Sequence, residues 1–270
     1  MSHVYLVRHG QTTSNEIQAL DTALPGADLT PLGCEQAKGV GSILAQRTSR
    51  LHVISSQAAR AQQTAALLAA TYAADGELLA SGAGSAFSSR FQGVDLSPLS
   101  DATAVSYAGD VEPKLASIYG VSEIPAGDLE MKNDHESHVA YHRVLATWLQ
   151  GDTRAEVPGG STGQQVMEGY VPQLLALMLA AQQESADTGG EAADIALVSH
   201  GAVIRLIARF LGAIDPEFAF HGYLRNSHFI QLEVPENLPE IADTIAADFE
   251  QGHGAFTVVE WGEHGRPVVV

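Results

Sequence analysis

Two short apolar runs constrain this chain more than any other feature. VYLV (residues 4–7) leads directly into Arg8, His9 and Gly10, and the apolar part of DIALVSHG (194–201) leads into Ser199, His200 and Gly201. A continuous β-branched and aliphatic run bounded by glycine suits a strand covered on both faces, so each predicts a buried strand that ends in histidine. LHVISS (51–56) predicts another, and SHFIQLEV (227–234) and FTVVEW (256–261) predict late strands. Helical patterns alternate with them. Thr30 as N-cap with Pro31 at the first helical position opens one in LTPLGCEQAKGVGSILAQR (29–47), and QAARAQQTAALLAATYA (57–73) and GAVIRLIARFLG (201–212) supply others. The alternation predicts an α/β fold: a three-layer, doubly wound, mostly parallel sheet with helices on both faces. In such folds ligands bind beyond the carboxyl ends of the strands, where both histidines stand.

A chain of 270 residues with 45% hydrophobic content can bury a full core. No run reaches the roughly 18 apolar residues of a membrane span, and the opening MSHVYLVRHG has no signal-peptide pattern, so the expected location is the cytoplasm. The single cysteine, Cys34, cannot form an internal disulfide and excludes a cysteine-based zinc site. A net charge of −18 disfavours nucleic acid and anionic membranes as partners. We expect one domain over 1–270, with an insertion or lid at about 76–120, where Ser, Gly, Ala and Asp dominate and periodicity is weak. TRAEVPGGSTG (153–163) predicts a loop before a helix starting near Ser161, and QQESADTGGEAAD (182–194) a polar connection.

Histidine beside arginine points to phosphoryl chemistry. Guanidinium groups match phosphate oxygens, and a neutral imidazole can accept the phosphoryl group on nitrogen. Nearby positive charge, here Arg8, keeps such a histidine unprotonated. Taken alone, Arg60 reads as a solvated helix arginine and each histidine as a structural hydrogen-bonding residue.

Four motifs in order change that weighting. VRHGQTTSN (7–15), SSQAARAQQTA (55–65), SEIPAGDLE (122–130) and VSHG (198–201) resemble the histidine phosphatase superfamily, the phosphoglycerate mutase-like family, over residues 3 to about 235. The resemblance implies a phosphoglycerate mutase-like fold with His9 as the phosphorylated nucleophile and Arg8, Arg60 and His200 gripping the phosphoryl oxygens. It also implies that Glu123, first in EIPAGDLE, is the general acid, a role that calls for partial desolvation or a place close to phosphate. Thr12 and Asn15 match positions lining the phosphate pocket. Gly10 and Gly201 are expected to let backbone approach the anion, with amide groups at the helix after SHG as further donors.

His135, His138 and His142 share one helical face that could imitate a metal site. The implied chemistry needs no metal or other cofactor, and no carboxylates stand at ligand spacing. The short RHGQT opening and the few basic residues after Glu123 favour a phosphatase acting on a small phosphorylated metabolite. Mutase-type phosphoryl transfer is the alternative, and a non-catalytic phosphate-binding module the one from another class. A homodimer is compatible with the sequence.

Overall fold

The computed structural model describes residues 2–91, 96–189 and 193–270. After β1 (His3–Arg8) come α1 (Thr13–Glu16), α2 (Pro31–Ala45), β2 (Arg50–Ser56), α3 (Ala59–Tyr72), β3 (Glu77–Leu78), α4 (Ala86–Arg90), α5 (Ala102–Ala108) and β4 (Ala116–Ile118). The second half runs α6 (His135–Leu149), α7 (Gly163–Thr188), β5 (Asp194–Ser199), α8 (Gly201–Leu211), α9 (Pro216–His221), β6 (Phe229–Glu233), α10 (Leu238–Ala247) and β7 (Thr257–Trp261).

These strands form one sheet in the order β3-β2-β5-β1-β6-β7, with β4 also pairing with β2. β1 to β5 run parallel, and only β6 is reversed against its neighbours. The mostly parallel α/β sheet read from the sequence is thus the one observed. Its continuous apolar strands are explained by two covered faces. Val4 and Leu6 of β1 pack into a core with Tyr170, Leu174 and Met178 of α7 and Ile204 and Ile207 of α8. Tyr5 and Val7, pointing the other way, pack with Val40 and Leu44 of α2 and Ala61, Ala65 and Leu68 of α3. Burying each large aliphatic side chain contributes roughly 1.5–3 kcal/mol, so a polar residue anywhere in 4–7 would disturb one core or the other. Thr30 caps α2 as the sequence predicts, its hydroxyl accepting from the amide of Gly33, with Pro31 at the first position.

The segment 76–120 departs from expectation, although its residues 92–95 lie outside those described. Rather than covering the cleft, its described part is built into the sheet and core. β3 and β4 pair in tandem with the two ends of β2. Leu99, Ala104, Ala108 and Leu115 join the core under α3, and buried Phe87 stacks on the buried imidazole of His52 with ring centroids 4.1 Å apart. The expected connection at 182–194 also differs. Residues 182–188 continue α7, because Gln, Glu, Ser and Ala tolerate a solvent-facing helix well once the preceding turns are packed; residues 190–192 lie outside those described. α7 starts at Gly163, with Thr162 and Gln165 forming a capping box. Among the described residues no helix is long and apolar enough to cross a membrane.

Candidate active site

The parallel register of β1 and β5 sets Arg8 opposite Ser199, and the amide of His9 donates to the carbonyl of Ser199 at 3.1 Å. Both chains leave the sheet there. The two histidines that follow therefore stand together, with ring centroids 5.3 Å apart. The backbone of His9 is fixed from the other side by the loop leading into the reversed β6: the amide of Ser227 donates to the carbonyls of Arg8 and His9, and the side chain of Asn226 to the His9 carbonyl at 3.1 Å.

His9 is buried, and its Nδ1 lies 2.7 Å from the carbonyl oxygen of Gly10. A carbonyl only accepts, so Nδ1 carries the hydrogen and Nε2 the free lone pair. Burial, then the charges of Arg60 and Arg8, hold this imidazole well below the usual histidine range, against a smaller opposing effect of the Gly10 carbonyl. It is a neutral nitrogen nucleophile in a positive setting.

The arginines are fixed from several elements. Arg8 donates through Nη1 to the hydroxyl of Tyr223 at 2.7 Å and the carbonyl of Leu224 at 2.6 Å, and its guanidinium stacks over the Tyr223 ring. Arg60, the second residue of α3, donates from Nε to Nδ1 of His200 at 3.3 Å and places Nη1 3.9 Å from Asp21. Arg8 Nε and Arg60 Nη1 are buried and have no hydrogen-bond partner. Both arginines line the same cleft as His9, so two guanidinium charges border the place where an anion would meet the imidazole.

His200 is fully buried and occupied at both nitrogens. Nδ1 accepts from Arg60, which leaves Nε2 to donate to Ser56 Oγ at 2.7 Å. Burial, followed by Arg60, His9 and Arg8, keeps it neutral. Glu123 is half-buried on the cleft wall. One carboxylate oxygen accepts from the amides of Ile124 and Val203, the other from that of Ala202. Two amides at the start of α8 that the sequence reading gave to an anion are therefore already taken by Glu123.

Arg8, His9, Asn15, Arg60, Glu123 and Gly201 line one cleft of about 420 Å³. Thr12 and Gly10 are used elsewhere. The Thr12 hydroxyl caps α1, accepting from the Asn15 amide, while Asn15 Oδ1 accepts from the Thr12 amide and from Asn226. The Gly10 amide donates to Thr64, and a Cβ at Gly10 would lie 2.5 Å from the Gly33 carbonyl, so this glycine serves packing against α2. At Gly201 a Cβ would meet Arg8 Nε at 2.9 Å; the missing side chain leaves room for the guanidinium over the start of α8. Glu130 lies outside the cleft, where it accepts from the amides of Thr22 and Ala23 and so pins the loop carrying Asp21.

Sequence reasoning missed several wall residues. Arg205, four residues beyond Gly201, follows it on the same face of α8 and could have been found as a charge in an apolar helix. It is buried and donates to the carbonyls of Gly201, Ala219 and Phe220. Tyr223 and Asn226 carry no local pattern, since only the return of β6 to β1 brings them in. His138 and His142 line the cleft with Tyr141, but His135 does not. Among the described residues no group of three or more His, Cys, Asp or Glu converges as a metal site would require.

A family model described as "Histidine phosphatase superfamily (branch 1)" matches residues 4–81 and 73–246. Among solved structures, a mycobacterial glucosyl-3-phosphoglycerate phosphatase in complex with VO3 is similar with a TM-score of 0.60 and 18% identity, covering 97% of this chain and 99% of that one. The phosphoserine phosphatase of Entamoeba histolytica, a mutant in complex with phosphoserine, gives a TM-score of 0.55 at 18% identity over 97% and 98%. The α-ribazole phosphatase of Shigella flexneri gives 0.52 at 22% identity over 87% and 91%. At these identities the likeness is one of fold. A curated relative, the PE-PGRS family protein PE_PGRS11 of Mycobacterium tuberculosis, is 48% identical over 63 residues, which is 23% of this chain and only 11% of that protein.

Proposed function

Because this chain belongs to the histidine phosphatase superfamily, we propose that it is a phosphatase that hydrolyses a small phosphomonoester through a phosphohistidine on His9. The observation that carries this reading is the placing of a lone-pair-bearing His9 Nε2 in one cleft with the guanidinium groups of Arg8 and Arg60.

In the first step Nε2 attacks phosphorus and the bond to the ester oxygen breaks. The phosphoryl oxygens meet Arg8 and Arg60, whose charge stabilises the group in transfer. His200 acts mainly through Arg60: by accepting from Nε it orients the guanidinium, while Ser56 fixes the ring. The departing oxygen takes a proton from the carboxyl of Glu123. In the second step Glu123 removes a proton from water, the water oxygen bonds to phosphorus, and the P–N bond breaks to return neutral His9 and inorganic phosphate. No metal enters these steps. The substrate is a small phosphorylated metabolite, the setting the cytoplasm, and the whole chain one domain.

Acid-labile, base-stable label on a His9 peptide after quenched reaction with labelled substrate, absent in His9→Ala, is the expected result. Label on His200 instead would overturn the assignment. A panel of phosphomonoesters, with a phosphoglycerate mutase assay alongside, separates hydrolysis from transfer.

A further inference from the structure

The two ends of α8 serve different cavities. Gly201 and Arg205 face the cleft described above, whereas Arg209 and Phe210 line a separate cavity of about 270 Å³, closed by Trp148 of α6 and by Phe249, Glu250 and His253 after α10. Arg209 is only 9% exposed. Its Nη1 donates to Nε2 of His253 at 3.1 Å, and its buried Nε has no hydrogen-bond partner. Among the described residues no carboxylate forms an ion pair with it. Arg205, one turn earlier and more deeply buried, is by contrast met by three main-chain carbonyls. A guanidinium largely removed from water is costly, Arg209 has only Asp215 acting on it beyond ion-pair distance, and the residue lines a cavity.

The rest of the cavity selects the kind of anion. Trp148, Phe210 and Phe249 present aromatic surface, with Phe210 and Phe249 edge to face at 5.4 Å. The volume lies below that of sites for drug-sized ligands and suits one ring. Glu250, exposed at the rim, opposes a polyanion. We infer that this cavity is a second ligand site, taking a small aromatic monocarboxylate whose carboxylate meets Arg209 and whose ring lies among Trp148, Phe210 and Phe249. The site is independent of the chemistry at His9.

Phenylacetate is a suitable probe, added to the full chain while the indole N–H resonances of the two tryptophans, Trp148 and Trp261, are followed and assigned with W148F. The Trp148 indole donates to the carbonyl of Ala155 from the wall of this cavity, so its signal locates the ligand away from the phosphate cleft. Phenylacetate is expected to shift Trp148 saturably and leave Trp261 in place. Phenylacetamide, and phenylacetate with R209M, should bind more weakly by roughly tenfold or more, the loss expected for a charge-assisted hydrogen bond. R209M replaces an unpaired buried charge by an apolar chain, so its melting temperature should hold or rise. If R209M does not fold, the acid and amide on the unaltered chain decide the matter. No saturable Trp148 shift, an equal response to the amide or to inorganic phosphate, or unchanged binding in folded R209M would overturn the proposal.

Discussion

The ends of β1 and β5 look like two copies of one design, Arg-His-Gly and Ser-His-Gly at neighbouring strand termini, yet they leave their histidines in different states. At β1 the neighbouring carbonyl takes the Nδ1 hydrogen of His9 and Nε2 stays free in the cleft. At β5 both nitrogens of His200 are engaged, one by Ser56 and one by Arg60. The residue before each histidine differs as well: Arg8 adds a guanidinium to the cleft, while Ser199 turns inward to donate to the carbonyl of Val121. The difference teaches that a histidine at a strand end acquires its role from what occupies its second nitrogen. On this reading His9 reacts and His200 positions.

The largest effect should come from removing the free nitrogen. His9→Ala should lower kcat by at least ~10⁴-fold and abolish the phosphoenzyme, as loss of a covalent nucleophile does. Rapid-quench measurement of turnover and label would check it. Equal loss of phosphoenzyme from His200→Ala, in a protein that still holds Arg60 in place, would break the comparison.

Next comes the group shared between the two ends, Glu123, which spans the cleft wall and the start of α8. Glu123→Gln should slow single-turnover phosphorylation by an alkyl phosphate roughly 10²- to 10⁴-fold, while p-nitrophenyl phosphate, whose leaving group needs no proton, loses less. Equal losses would assign Glu123 to its capping role on α8 alone.

A pH experiment asks whether both histidines share their neutral state. A histidine held below its ordinary range takes up fewer protons in the folded chain than in the unfolded one, so stability is lost as pH falls below about 6.5. Both His9 and His200 are of this kind. Removing His9 should therefore make the fall of unfolding free energy below pH 6.5 shallower by about 1.4 kcal/mol per pH unit, down to the point where folded His9 itself takes a proton. Urea unfolding at a series of pH values measures it; an unchanged slope would mean that His9 is already protonated near pH 6.5.

Much of this arrangement was legible in the sequence because it is local. Apolar runs gave β1, β2 and β5, and the residues just past them, Arg8, His9, Arg60 and His200, converge once those strands pair. Glu123 was placed by its motif, but its three amide partners depend on the packing of α8 and could not be read. The segment 76–120 misled because strands of two and three residues and a single buried Phe87 leave no periodicity, although they extend the sheet. Thr12 and Asn15 were matched as a pair, yet capping α1 takes the hydroxyl of one and leaves the other on the cleft wall. Tyr223 and Asn226 come from a loop whose position is set by an antiparallel partner far along the chain.

The smallest expected effect tests the brace itself. Ser56 Oγ accepts from His200 Nε2 and also receives the Ala58 amide at 3.3 Å. In Ser56→Ala the buried Nε2 hydrogen loses its acceptor, at a cost of about 1–3 kcal/mol in stability. The ring can then turn, and Arg60 Nε loses a fixed partner. Because His9 keeps its own hydrogen bond to Gly10, phosphorylation should still occur, with kcat/KM reduced by roughly tenfold or less, the worth of one neutral hydrogen bond. Ser56→Thr, which retains the hydroxyl, should recover most of the loss if the buried site admits its methyl group. A fall in Ser56→Ala as deep as that in His9→Ala would show that His200 takes a direct part in the chemistry, and the two strand ends would then be equivalent after all.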